Sequence, residues 1–358
     1  MDAAQTINSP HTDAEYQDHI LQGVSRTFAL TIPQLPSPLF RVVSNAYLLC
    51  RIADTIEDDR DISHDIKRQF ADQFISVVTG KTSADEFSNA LHPLLSTSAT
   101  EDEKDLILHT PAVIRITHSF NDRQRAALER CIRIMADGMA KYQEADVSQG
   151  LADMNDMDNY CYYVAGVVGE MLTELFCDYS SELDQHHDKL MQLSKSFGQG
   201  LQMTNILKDI WDDQARNMCW LPSEIFQQYG SNLKNLSQEK SSQEFNQALG
   251  HLLGIALSHL ENALRYTLLI PKDEIGMRRF CLWAIGMAVL TLKKINNHRH
   301  FSSGQEVKIS RRSVKATILA TNLLTRQDKL LLALFKITAS SLPVQALSPK
   351  FNLSNGSP

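Results

Sequence analysis

Between Arg51 and Asp59 the chain reads RIADTIEDD. Four carboxylates, Asp54, Glu57, Asp58 and Asp59, crowd within six positions, behind an apolar run that holds Tyr47, Leu48, Leu49 and Ile52. On a helix Asp54 and Asp58 are four apart and Glu57 is three from Asp54, so these three share a face. Like charges this close repel, and alone the run reads as a solvated helix end. A second stretch, QMTNILKDIWDD, spaces Gln202, Asn205, Asp209 and Asp213 by three, four and four. The other faces of that helix carry Leu201, Ile206, Leu207 and Ile210. An amphipathic surface helix explains the carboxylates but has no special use for Asn and Gln in the same line, whereas a helix lining a cavity does. Two oxygen-rich faces without cysteine ligands suit a hard cation. Mg²⁺ takes carboxylate oxygens and water and leaves positions for phosphate oxygens. Facing lines of this kind would hold several Mg²⁺ ions and a diphosphate, and the metal charge would cancel the repulsion in the first cluster. Arg26 and Arg51 beside the first line, and Lys208 and Arg216 beside the second, read either as surface ion pairs or as cationic partners of the diphosphate.

The elements that must carry these residues are helical. SNAYLLCRIADTIEDD, RQRAALERCIRIMADGMAKY, YCYYVAGVVGEMLTELF, KLMQLSKSFGQGLQMTNILKDIWDD and ALGHLLGIALSHLENALRYTLL repeat apolar residues at steps of three and four. No hairpin signal with alternating flanks is present. Pro33, Pro36 and Pro38 end one helix near Thr31 and start another near Ser37. The basic stretch 302–313 reads as a mobile loop, and NHRH over 297–300 as a solvated helix end rather than a metal site. Gly166 and Gly169, three apart, suit close approach of a second helix or a ligand, with helix packing the simpler account. No repeat or linker divides the chain. The predicted organisation is a disordered N-terminus over 1–12, one large all-α domain over 13–342 and a flexible tail over 343–358.

The totals set limits. A chain of 358 residues with 43% apolar and 22% charged residues can bury a large core, and its net charge of −7 excludes broad nucleic-acid binding. Cys50, Cys131, Cys161, Cys177, Cys219 and Cys281 form no CxxC pair and no zinc-like spacing, so they read as reduced core residues of a cytoplasmic protein. The first 17 residues carry no Lys or Arg and no apolar core of a secretory signal. FCLWAIGMAVLTL over 280–292, flanked by Arg279 and Lys293, is too short to span a bilayer and reads as a buried core helix. No G-x-G-x-x-G follows a strand, so a Rossmann cofactor domain is not expected.

Together DTIEDD and NILKDIWDD resemble the motifs of the squalene/phytoene synthase family. SRTFAL (25–30), YCYYVAGVVGEML (160–172) and RRFCLWAIGMAVLTL (278–292) extend the resemblance, in order, from about His19 into the 320s. The squalene branch is the nearer, on YCYYVAGVVG, on FC at 280–281 and on VKISRRS (307–313). The resemblance implies a single-domain all-α isoprenoid-synthase bundle around a central cavity. It implies head-to-head joining of two farnesyl diphosphates through presqualene diphosphate, then reduction by NADPH to squalene. Carried over by position, Asp54, Glu57, Asp58, Asn205, Asp209 and Asp213 would bind Mg²⁺. Arg26 and Arg51 would hold diphosphate and the NADPH phosphates, with Lys208 and Arg216 as further substrate contacts. Tyr160 would be the catalytic phenol. Tyr47, Gln202 and Phe280, with Phe28 as a further cation-stabilising aromatic, would line the cavity.

Three departures bear on this. Lys208 stands where the branch often has Arg, Ala284 where it usually has Pro, and Ser310 where a second basic residue is expected after Lys308, so that Arg311 or Arg312 would substitute. Two other products stay open within the family, presqualene diphosphate and a dehydrosqualene or phytoene type made without NADPH. A non-catalytic helical module binding prenyl lipids is the reading from another class. The insoluble product implies peripheral contact with a membrane surface, as at the inner face of a prokaryotic membrane. No protein partner is expected.

Overall fold

The computed structural model describes residues 12–348 apart from 26, 144 and 237–241, together with Phe351. Among the described residues there is no strand; one isolated bridge joins Leu151 and Pro222. Contacts divide the chain into two compact units, Met1–Ala136 and Asp137–Pro358. The division falls inside one continuous helix, so neither a loop nor a change in composition marks it in the sequence.

The first unit contains α1 (Asp13–Val24), α2 (Phe28–Thr31), α3 (Ser37–Asp58), α4 (His64–Val78), α5 (Ala84–Leu91), α6 (Glu101–Leu108) and α7 (Thr110–His118). α8 (Asp122–Gln143) carries the division. α3 is the axis of this unit, packing against α1, α4, α6 and α7. The prolines act as their fixed φ requires: Pro33 lies in a 3₁₀ turn over Ile32–Gln34, and Pro38 lies in the first turn of α3, where a missing N–H costs nothing. Leu39, Val42, Val43, Leu48, Leu49, Ile52 and Ile56 bury the α3 stripe, each worth about 1.5–3 kcal/mol. Buried Asn45 ties three helices: its Nδ2 donates to Gln17 Oε1 (3.2 Å) and Val113 O (2.9 Å), and its Oδ1 accepts from Thr117 Oγ1 (2.8 Å).

The second unit contains α9 (Met154–Cys161), a π-helical turn (Tyr162–Gly166), α10 (Val167–Tyr179), α11 (Ser181–Asp184), α12 (His187–Gln214) and α13 (Ser223–Gln228). It continues with α14 (Gln243–Leu269), α15 (Ile275–Asn297), α16 (Gly304–Val307), α17 (Arg311–Leu324) and α18 (Asp328–Ala339). α12 packs on α10, α14 and α15. A Cβ on Gly169 would lie 2.2 Å from Ser194 O, and one on Gly198 2.1 Å from Ala165 O. Gly169 thus serves close helix packing. α15 is long and apolar enough to cross a membrane, but 67% of its most apolar window is buried inside the protein. It is the core helix expected over 280–292. All six cysteines are buried and none forms a disulfide.

Two expectations change here. Residues 302–313 are not one loop, because α16 and the start of α17 occupy much of the stretch. Part of the expected flexible tail is packed. Gln345 O accepts from Ser258 Oγ (2.6 Å), Leu347 is buried, and the Phe351 ring meets His259 edge-on at 5.0 Å. Two apolar anchors among polar neighbours hold this segment down.

Candidate active-site residues

In the first unit the last turns of α3 present Tyr47, Arg51, Asp54 and Asp58 at steps of four, three and four. Tyr47 Oη donates to Val24 O (2.9 Å), and its ring lies 5.5 Å from Phe28. Arg51 binds Glu103 and approaches Asp54, Nη1 to Oδ2, at 3.8 Å. Burial first, and then the charge of Asp58, push the Asp54 carboxyl up to about 7 against the pull of Arg51. Asp54 and Glu57 are half-buried and Asp58 is exposed. Arg26 lies outside the described residues.

Asp59, the fourth carboxylate of the cluster, does different work. It is buried, and its carboxylate accepts from Ser96 N (2.7 Å) and Asp61 N (3.0 Å). Burial opposes its charge, but these backbone donors outweigh burial and hold its carboxyl below the ordinary range. Two residues were not foreseen. Glu103 joins the α6 capping box with Thr100 and also fixes Arg51. Lys67, buried on α4, donates to the carbonyl of Glu57 and lies within the field of Glu57, Asp58 and Asp59. A cation at the C-terminal end of α3 also complements the helix dipole.

In the second unit the last turns of α12 carry Gln202, Asn205, Asp209 and Asp213 along one side, as the spacing predicts. Lys208 Nζ lies 3.0 Å from Asp209 Oδ2, and Arg216 pairs with Asp213. Burial first raises the Asp213 carboxyl to about 6; Arg216 opposes this, while Asp209 and Asp212 add to it. Gly304, at the start of α16, donates its N–H to Asp212 Oδ2 (2.9 Å). A Cβ there would fall 2.4 Å from Asp209 Oδ1, so glycine is what lets α16 sit against this carboxylate. Its signal in the sequence was only a glycine inside a polar run.

Tyr160 stacks on Trp220 at 3.9 Å with the rings 5° apart, and Tyr142 meets it edge-on at 5.2 Å. Gln199 Nε2 on α12 donates to Asp158 O (3.1 Å), tying the Tyr160 helix to the helix of the second acidic line. The π turn that follows at Tyr162 left no mark in the apolar periodicity; such turns recur at functional sites. Phe280 is buried, with its ring edge-on to Phe176 at 6.2 Å. Ala284, where proline was the expected residue, sits in the interior of α15. Lys308 and Arg311 are exposed. Ser310 is the N-cap of α17, accepting from Ser313 N at 3.1 Å, which accounts for a hydroxyl residue at a position expected to be basic.

The donor set fits Mg²⁺. Every candidate ligand is an oxygen, and each line contains a carboxylate raised by burial and like charge, Asp54 and Asp213. Among the described residues no three His, Cys, Asp or Glu converge as a closed cage. Mg²⁺ sites are commonly open, using one or two carboxylates, water and substrate phosphate. Lys308, Arg311 and Arg312 are exposed and adjoin the start of α17 in sequence, residue types that suit phosphate.

The model of the squalene/phytoene synthase family matches residues 21–313, and the chain belongs to that family. It is 32% identical to the squalene synthase of Saccharomyces cerevisiae over 85% of this chain and 66% of that one. With squalene synthase 1 of Arabidopsis thaliana the identity is 31%, over 84% and 69%. The chain thus spans about two thirds of the length of these curated relatives. Among solved structures, TcSQS in complex with a ligand superposes with a TM-score of 0.74 at 24% identity, over 94% of both chains. A dehydrosqualene synthase superposes at 0.62 with 18% identity, over 91% of this chain and 97% of that one. The fold is the all-α isoprenoid-synthase type.

Proposed function

We propose that this chain joins two farnesyl diphosphates head to head, through presqualene diphosphate, to squalene. The observation that carries this reading is the pair of acidic lines, each with a carboxylate, Asp54 or Asp213, whose negative charge its own neighbours do not settle. Asp54, Glu57 and Asp58 would hold Mg²⁺, as would Asn205, Asp209 and Asp213. The bound ion supplies Lewis-acid neutralisation of a departing diphosphate. Arg26, Arg51, Lys208 and Arg216 orient diphosphate oxygens. Phe28 and Tyr47 of the first unit and Phe280 of the second offer aromatic faces that would stabilise cationic carbon without reacting with it, and Gln202 would contact the isoprenoid chain. The first coupling releases one diphosphate and one proton, and the Tyr160 phenol passes that proton toward the departing diphosphate. Lys308 and Arg311 would hold the phosphates of NADPH, which when bound would supply a hydride.

Incubation of the purified chain with farnesyl diphosphate and Mg²⁺, with and without NADPH, tests the reading. Squalene only in the presence of NADPH is expected. The use of Ser310 as a cap rather than a cationic contact favours a second reading, a presqualene or dehydrosqualene product. A product mixture unchanged by NADPH selects it. Binding of farnesyl diphosphate without release of diphosphate would leave only a prenyl-lipid-binding module. Squalene carries no polar group, so its release requires contact with a membrane surface.

A further inference from the structure

We propose that the outer faces of α17 and α18 form a docking surface for an anionic lipid bilayer. This names the surface for the membrane contact proposed above and rests on that reading only for its purpose. Three of the four most exposed large hydrophobic side chains among the described residues lie here: Leu319 (62%) and Leu323 (73%) on α17 and Ile337 (70%) on α18; the fourth, Val344 (76%), follows α18 by five residues. Leu330 and Leu332 add to them. Both helices pack on α15 and on each other, so their outer faces form neighbouring strips of one surface. Apolar clusters left in water on this scale mark interaction sites.

Charge selects the occupant. The segment from Lys308 to Ser348 carries seven Lys and Arg against one acid, Asp328, in a chain whose net charge is −7. Asp328 is already taken by Lys272 and Arg278, and Arg326 reaches Asp273. Lys315, Lys329 and Lys336 stand on the exposed faces with no ion pair among the described residues. Leucines interleaved with exposed cations on amphipathic helices are the pattern of an interfacial membrane surface.

The inner faces point the same way. Beneath the pair lies an apolar cavity of about 330 Å³, lined by Leu282, Ile285 and Val289 of α15, Thr321 of α17, and Leu331 and Phe335 of α18. Its side of α15 is opposite the side that carries Phe280 and Ala284, so it is distinct from the catalytic residues. A bilayer supplies flexible chains that can enter such a space, and the folded surface of a second copy does not.

Co-sedimentation with vesicles of phosphatidylcholine, alone or mixed with phosphatidylglycerol, tests the proposal on the full chain. Binding to the anionic vesicles and its loss at high salt are expected. A surface cation contributes about fivefold, so Lys329→Gln with Lys336→Gln should weaken anionic binding by roughly 30-fold. Leu319→Glu with Leu323→Glu should weaken it at least tenfold while the helical circular dichroism is kept. All four positions are exposed, and none belongs to the catalytic set. Absence of vesicle binding, equal binding to neutral and anionic vesicles, or a concentration-dependent dimer abolished by the leucine variants would each overturn the proposal. Because vesicle binding is read without substrate, its failure leaves the catalytic reading standing.

Discussion

Replacing Asp54 by Asn should stabilise the metal-free protein while removing its activity. A carboxylate raised from 3.8 to about 7 holds its proton more tightly folded than unfolded, so the folded state loses stability as pH climbs between those values. Below 3.8 the penalty is absent, and above 7 it is complete. Taken whole, the shift corresponds to roughly 4 kcal/mol. The side chain keeps 34% of its surface in water, so screening reduces this to about 1–2 kcal/mol. Urea unfolding in chelator at about pH 8 should show Asp54→Asn more stable by that amount, and at about pH 5 by roughly a third of it. Added Mg²⁺ should narrow or cancel the difference. An ion at tenfold its dissociation constant adds about 1.4 kcal/mol to the parent protein, and less to a variant lacking the ligand. A metal-free Asn variant no more stable than its parent at the higher pH would refute the reasoning, because Arg51 would then already satisfy the charge.

Gly304→Ala should change stability by about 1 kcal/mol, because its Cβ meets the movable carboxylate ends of Asp209 and Asp212 and comes no nearer than 3.3 Å to the Lys208 carbonyl. By displacing Asp209 it should raise the Mg²⁺ concentration for half-maximal activity about tenfold, read by metal titration. Lys67→Met leaves the Glu57 carbonyl and three carboxylates without their buried cation, and should cost about 1.5–3 kcal/mol in urea unfolding, with Lys67→Arg restoring part of it. Ser310→Ala should lose about 1 kcal/mol of stability with an unchanged KM for NADPH. Arg311→Ala should do the reverse, keeping stability and raising that KM several-fold.

Spacing told which residues share a face but not which partners they find. The steps from Asp54 to Asp58 and from Gln202 to Asp213 are set within single helices, so both lines were legible, as was the break at Pro33 to Pro38. Asp59 shows the limit. One position beyond the line, it serves the backbone of Ser96, 37 residues away. Glu103 and Lys67 act on α3 from α6 and α4, and Gly304 acts on α12 through a close approach that no local pattern encodes. Ser310 was readable in principle as a helix cap, but the cations around it made the stretch look like a loop. The tail misled for the opposite reason, since Leu347 and Phe351 are a single apolar pair, too few to give a periodic signal, yet suffice to anchor it.

Each acidic line carries its cation on its own helix or just past its end: Arg51 for Asp54, Lys208 for Asp209, Arg216 for Asp213. Partly exposed pairs of this kind are worth about 0–1 kcal/mol, so redirecting the cation costs little. Metal binding would take the carboxylate and release the cation toward phosphate, giving one residue opposite effects on two ligands. Arg51→Gln should therefore tighten Mg²⁺ measured without diphosphate by up to about fivefold, since a repelling charge has gone. The same change should weaken inorganic diphosphate measured with Mg²⁺ present, by about tenfold for a lost charge-assisted contact. Calorimetric titration reads both. Should the two affinities fall together, Arg51 holds the end of α3 through Glu103 and has no part in exchanging partners.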